Sequence, residues 1–355
     1  MRASAVVSEA WRNLRTGTSR ALLLTTLLAA VTGLLGIADI MSVHALEQKA
    51  EQYLGSGAAI RAVSIDALVD PQSCEALSSA TTVRAAGAIA AATPITATAL
   101  PRSPLPAFTV TPSFATVLGL DPAHASGVWI SASLAQTLHA GIGTSLATAE
   151  GPLEISGIFA WPDDGRDSRV GSAILVPDRT LKRFDECWAA VWPTSDETDD
   201  LLRFAADPSA PTDSAVTVTQ VNRNFGTSFE GHAEFLGRST RHILPVSVVA
   251  GFFIAVTSVR LRRLEYAGAL HAGQSRAASA AVCLLETLVW SGAGALIATA
   301  ALVLTARITS LDGGLVTATT GLQAACATMA STVLGAAISI ALVRESHLFR
   351  YFKDR

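Results

Sequence analysis

The 355-residue chain is half hydrophobic, has a mean hydropathy of +0.41, and carries only 15% charged residues with a formal net charge of −3. A soluble globular protein carries about 25% charged residues. The composition therefore favours a membrane class, and its slightly acidic balance gives no reason to expect a nucleic-acid partner. At roughly 100–200 residues per domain, the length accommodates one sizeable soluble domain plus a few membrane spans.

Four segments meet the length of about 20 apolar residues that a spanning helix needs. The first, "ALLLTTLLAAVTGLLGIADIMSV", covers residues 21–43 and is uncharged until Asp39. "VHA" at 43–45 resembles a small-residue cleavage site, but the uncharged run exceeds the roughly 7–15 residues of a signal h-region. A retained helix is expected, with Asp39 near its outer end at the interface. The second span, 243–259, is short, and Arg241 and Arg260 can snorkel to the interfaces. The third, 277–306, has one charge, Glu286, and the fourth, 315–343, has none.

Charge orients these spans. Arg2, Arg12, Arg15 and Arg20 precede the first span, and Arg260, Arg262, Arg263 and Arg276 lie in the 260–276 segment. Arg344, Arg350, Lys353 and Arg355 follow the fourth, in the tail 344–355. Acidic residues outnumber basic ones across 44–242, and the short 307–314 loop carries one charge of each sign. By the positive-inside rule both termini and the 260–276 loop are cytoplasmic, whereas 44–242 and 307–314 are external. The expected fold class is a multi-pass protein of the cell membrane with four transmembrane α-helices in a 1+3 arrangement. A large mixed α/β extracytoplasmic domain would lie between helices 1 and 2.

Within 44–242, "HALEQKAEQYLG" (44–55) continues the first helix to Gly55. "FTVTPSFATVLGL" (108–120) reads as a strand then a helix, and "WISASLAQTL" (129–138) as a strand end and a helix capped near Ser131 or Ser133. A Glu-Gly turn in 142–162 signals a hairpin. "SAILVP" (172–177) is a short strand, "PDRTLKRFDECW" (177–188) a predicted helix, and the acidic "TSDETDD" (194–200) a solvated turn. Segment 222–242 is a polar lead-in to span two, whose glycines argue against one continuous helix. Cys74 and Cys187 are the only cysteines in this segment. An oxidising compartment permits their disulfide, and two cysteines allow a single pairing, although sequence alone does not bring them within bonding distance.

Catalytic motifs are absent: there is no H-E-x-x-H, G-x-S-x-G, or Cys/His set with metal-ligand spacing. No P-loop appears, so ATP hydrolysis by this chain alone is not expected. His232, between two glutamates, reads as a surface histidine. Glu286 stands at membrane depth, where an acid is costly and faces a bundle interior or water. A structural role at a helix interface and a functional one both remain open for it, since a proton relay would need partners the sequence does not reveal. Small residues four apart, Ala29 and Gly33, Ser291 and Ala295, Ser331 and Gly335, suit close helix contacts in lipid.

The segment "VRLRRLEYAGALHAGQSR" (259–276) resembles the cytoplasmic loop after the second span of MacB- and FtsX-type ABC permeases. Arg262, Arg263, Glu265, Ala269, Leu270, Gly273, Ser275 and Arg276 hold the positions of its basic run, acid and small-residue stretch. "HAG" at 271–273 departs slightly from the usual form. Glu286 falls where members often carry an acid. "EAWRNLR" (9–15), with Trp11, Arg12 and Leu14, is similar to the family's amphipathic lead-in helix, here placed at 1–20. "VTPSFATVLGL", "WISASLAQTL" and "GIGTSLATAEGPLEISGIFAWP" follow the order of elements in a MacB-type external domain. A fused ATPase domain is missing, and the cysteine pair lies outside the general pattern. The resemblance implies a non-catalytic permease subunit whose 260–276 loop couples to a separate ABC ATPase subunit. That partner would bind the ATP and Mg, leaving no cofactor in this chain. A second permease copy, as homodimer or related heterodimer, and membrane lipid are the other implied partners. Such a complex performs export or mechanotransmission. A different reading is a membrane-anchored sensor or regulator of a cell-envelope enzyme that transports no cargo.

Overall fold

The computed structural model describes residues 2–121, 127–206, 216–309 and 314–353. They form two units, Met1–Gln48 with Gly231–Arg355, and Lys49–Glu230, each described by itself. The loop residues 310–313 lie outside the described residues, as does the end of the 344–355 tail.

The helical unit begins with α1 (Ala3–Thr16), which ends on Gly17 in the left-handed conformation, and with α2 (Ala21–Gly55), whose last turns belong to the second unit. Among the described residues four helical stretches are long and apolar enough to cross a membrane: Ala21–Gly55, Ser239–Leu261, Arg276–Thr309 and Gly321–Ala341.

The second unit is built on a nine-stranded mixed sheet. Its elements in chain order are β1 (Ile60–Val69), α3 (Pro71–Ala76), β2 (Val83–Ile95), β3 (Leu105–Val110), α4 (Phe114–Val117), β4 (Val128–Ser131), α5 (Ala132–Leu138), β5 (Ser145–Thr148), β6 (Gly151–Phe159), β7 (Ile174–Pro177), β8 (Phe184–Val191), α6 (Asp196–Leu202) and β9 (Thr217–Gln220). The spatial order is β5-β6-β4-β7-β3-β2-β8-β1-β9, with β3–β7 and β4–β6 parallel and the other neighbours antiparallel.

Strand β8 organises this unit because it is paired on both sides, Cys187 lying opposite Val63 of β1 and Ala88 of β2. Its side chains alternate between two cores, as the period of two requires. Cys187, Ala189 and Val191 join Val63 and Leu202 on one face, while Trp188 packs with Phe114, Trp129 and Trp161 on the other. Cys74 on α3 is disulfide-bonded to Cys187, with Cα atoms 5.8 Å apart and both residues fully buried. The bond holds α3 against the sheet.

Two local expectations are overturned. Residues 177–188 do not form a helix: 184–188 lie in β8, and the preceding turn is held by Asp178, whose Oδ1 accepts from the N–H and hydroxyl of Thr180. Ladder partners on both edges override the helical composition of that stretch. The acidic run is solvated at Glu197 and Asp200 but is not a turn. It opens α6, N-capped by Ser195, whose hydroxyl accepts from the Thr198 N–H. Asp199 pairs at 3.3 Å with Arg61, a buried arginine that also donates to the carbonyl oxygens of Ala58 and Thr227. Acids in the first turn of a helix also complement its dipole.

The helical unit resumes with α7 (Gly231–Gly237), then α8 (Ile243–Leu261), α9 (Arg263–His271), α10 (Arg276–Thr309), α11 (Gly314–Ala341) and α12 (Leu348–Lys353). His232 is exposed on α7. Asp39 is paired with Arg238 at 3.2 Å, and Ser42 bonds Thr240 at 2.7 Å, fixing α2 to the segment before α8. Helices α8 and α11 pack closely through small residues. A Cβ on Gly335 would stand 2.6 Å from the carbonyl oxygen of Phe252, and the Ser331 hydroxyl donates to the Val248 carbonyl. Removing a side chain at such a position lets two backbones approach.

Candidate functional site

The site grows from a break between α8 and α9. Arg262 sits between the two helices with φ −108° and ψ 10°, outside helical geometry. One non-helical residue here turns its side chain inward, and Arg262 is only 7% exposed. Its Nε donates to Oε2 of Glu265 at 2.9 Å, and its Nη1 donates to Oε2 of Glu286 on α10. The guanidinium also lies 5.0 Å from the ring centre of Tyr266. Burial by itself would lower the Arg262 pKa, but its partners, the Glu286 and Glu265 carboxylates among them, raise it by more, so the group stays charged.

Glu286 is 2% exposed, and its second oxygen, Oε1, accepts from the Asn13 amide of α1 at 2.7 Å. Ten residues into α10, it stands about 15 Å from that helix's first residue. A buried carboxylate needs both a counter-charge and hydrogen bonds to be tolerated, and Arg262 and Asn13 supply them. The network therefore ties α1, the α8–α9 junction and α10 together. Apolar contacts reinforce it, with Val6 and Ala10 of α1 packed on Ala278 and Val282 of α10.

The remaining loop residues divide between two faces. Leu270 is half-buried against Tyr266, Ala267, Cys283 and Ile340, so it anchors α9 to α10 and α11. Arg263 lies over the Tyr351 ring of α12 at 4.9 Å, and His271 Nδ1 meets Glu345 at 2.8 Å. Gly273, Ser275 and Arg276 are exposed. Gly273 has φ +92°, a left-handed turn that glycine makes without Cβ strain. Ser275 caps α10 by accepting from the Ala278 N–H at 3.3 Å. Glu265 is exposed through 57% of its side chain.

The resemblance implied that the basic run of this loop couples to an outside partner. Arg262 itself is turned inward, toward the acid buried on α10. On α1, Trp11 and Arg12 are exposed and Leu14 is half-buried, and it is Asn13 between them that reaches the network. Asn13, Tyr266 and Ser279 were not singled out from the sequence. Asn13 stands in the quoted "WRNLR", but nothing local marks it as a partner of Glu286.

A cleft of about 200 Å³ borders the network, lined by Glu9, Asn13, Thr18, Glu265, Gln274 and Ser279 among others. Ser279 is 3% exposed, and its hydroxyl has no hydrogen-bond partner among the described residues. An orphaned buried hydroxyl costs about 1–3 kcal/mol. Burial pushes the Tyr266 phenol well above its ordinary pKa, so it remains a neutral donor. Among the described residues no group of three His, Cys, Asp or Glu side chains is placed to hold a metal ion.

No family model matches this chain. No curated protein matches it either. Among solved structures, the periplasmic region of MacB from Actinobacillus actinomycetemcomitans is similar over 49% of this chain and 94% of its own length, at 9% identity and a TM-score of 0.35. A domain of a putative permease protein from Porphyromonas gingivalis is similar over 45% of this chain and 85% of its own length, at 13% identity and a TM-score of 0.31. These are distant likenesses, and what the chain does has to be argued from its own residues.

Proposed function

We propose that this chain is the permease subunit of a MacB/FtsX-type ABC export or mechanotransmission complex. It spans the cell membrane four times in a 1+3 arrangement with both termini cytoplasmic. The 44–242 domain is extracytoplasmic and acts by moving, without catalytic residues of its own. A separate ATPase subunit binds ATP and Mg, and a second permease copy completes the unit.

One observation carries this reading. The segment that would meet the ATPase is tied internally, through Arg262, Glu286 and Asn13, to α10 and to the helix leading into α2. A push on the exposed surface of α9 would reach three helices at once, because a buried ion pair cannot lose one member cheaply. A plain connector that only enforces topology has no need of such a tie.

Affinity purification of the tagged full chain from its native membranes tests the proposal. The companion variant carries Ala272→Trp and Arg276→Glu, both at exposed positions. Gly273 is left intact because its left-handed backbone would strain any larger residue. Recovery of a P-loop ATPase with the parent, and its loss or uncoupled hydrolysis with the variant, is the expected result. No ATPase with the parent in several gentle detergents overturns the permease reading and favours the sensor.

A further inference from the structure

The cleft beside Arg262 holds more negative charge than the internal network uses. Two carboxylates, Glu9 and Glu265, line it against one guanidinium, Arg262, which is already shared between Glu265 and the Glu286 buried behind it. Asn13 lines the same space; one hydrogen of its amide is committed to Glu286, and its carbonyl oxygen can accept from a ligand. Thr18 adds a hydroxyl.

Ser279 is the independent sign that something else binds there. A serine inside a helix commonly returns its hydroxyl bond to the carbonyl four residues back. Ser279, 3% exposed on the cleft wall, makes no such bond and finds no other partner among the described residues. The Glu9 and Glu265 carboxylates with the oxygens of Asn13, Thr18 and Ser279 supply several acceptors along the lining, and they suit a cation that donates several hydrogen bonds. A bare metal ion suits the cleft poorly, since no three ligating carboxylates, histidines or thiols converge among the described residues. The volume, about 200 Å³, is several times the roughly 30 Å³ share of a liquid water. Glu265 reaches solvent, so one wall of the cleft is open to an approaching side chain.

We propose that this cleft is a socket for an arginine or lysine side chain presented by the ATPase partner, an assignment that rests on the permease reading above. Between Glu9 of α1 and Glu265 of α9, a guanidinium or ammonium bridges two elements already joined to Glu286. Docking is thereby registered at the buried network and not only at the surface of α9.

The test uses the purified full chain in lipid nanodiscs and arginine amide as the probe, read by saturation-transfer NMR. Saturable binding by the parent is expected, roughly tenfold weaker in Glu9→Gln and weaker again when Ser279→Ala is added. The exposed control Glu154→Gln, in the other unit, should bind as the parent does. No saturable binding by the folded parent, or equal binding by Glu9→Gln, overturns the socket. Native-membrane purification separates the two readings. Reduced ATPase recovery with Glu9→Gln supports the partner's side chain as the occupant, and undiminished recovery overturns that assignment. If the parent binds arginine amide but brings down no ATPase, the permease reading fails while the cation socket stands.

Discussion

Arg262 and Glu286 form a buried ion pair across the turn between α9 and α10, closed from the other side by the Asn13 amide of α1. A buried pair is weak evidence of net stability, because desolvation of both charges opposes their attraction. Its consequence is specificity of arrangement: the acid on α10 is tolerated only while the α8–α9 junction and α1 stay in place.

Removing one member should therefore cost more than removing both. Glu286→Ala is expected to destabilise the helical unit toward the low end of about 3–5 kcal/mol, since buried Arg262 keeps only the half-exposed Glu265 as counter-charge and the Asn13 amide loses its acceptor. The double variant Arg262→Met with Glu286→Leu should recover most of that loss. Thermal unfolding of the detergent-solubilised chain checks both, and a Glu286→Ala variant as stable as the parent would refute the structural role given to the pair.

Gly335→Ala should loosen the contact between α8 and α11. Its Cβ would come within 2.6 Å of the Phe252 carbonyl oxygen, so one backbone must shift. Overpacking of this kind costs about 1–3 kcal/mol. Gly292→Ala on α10 meets nothing within 4 Å and should leave stability equal or slightly higher. Equal melting temperatures for the two variants would contradict the packing described for α8 and α11.

Cys74 and Cys187 should resist alkylation in the folded chain, and a disulfide-linked peptide should appear by mass spectrometry without reductant. Their sequence separation is 113, so the bond closes a long loop. Replacing both by alanine is expected to destabilise the sheet unit by about 2–5 kcal/mol. Cys283 and Cys326 are free thiols and serve as labelled controls; alkylation of Cys74 and Cys187 in the chain unfolded without reductant would count against the bond.

Asp164 offers a pH test. Its carboxylate accepts from Arg166 Nε at 2.9 Å and Nη2 at 2.7 Å, and buried Asn222 donates to the same group at 3.3 Å. The hydrogen bond from Arg166 is the main cause that holds its pKa below the ordinary value. The unfolded chain thus binds this proton more readily. The stabilisation is present above the ordinary carboxylate pKa of about 3.9 and fades as pH falls through the lowered one. Asp164→Asn should flatten the acid limb of the stability profile below about pH 4 and leave its slope near neutrality unchanged. Acid titration followed by tryptophan fluorescence measures it.

The sequence alone determined the four apolar helical stretches, the mixed α/β character of the middle segment, and the identity of the possible cysteine pair. Hydropathy and composition are sums over neighbouring residues, so they survive without knowledge of the fold. What lay beyond reach were choices made by distant partners. Residues 184–188 became a strand because β1 and β2 flank them, and the acidic run became a capped helix whose Asp199 meets Arg61. Most of the loop expected to couple was legible as a charged, small-residue segment between spans. The inward turn of Arg262 was not, because its partners Glu286 and Asn13 come from other helices, and Asn13 lies 273 residues from Glu286. Only tertiary structure can bring such groups together, and only burial makes their pairing obligatory, since a lone charge in that interior would be too costly to keep.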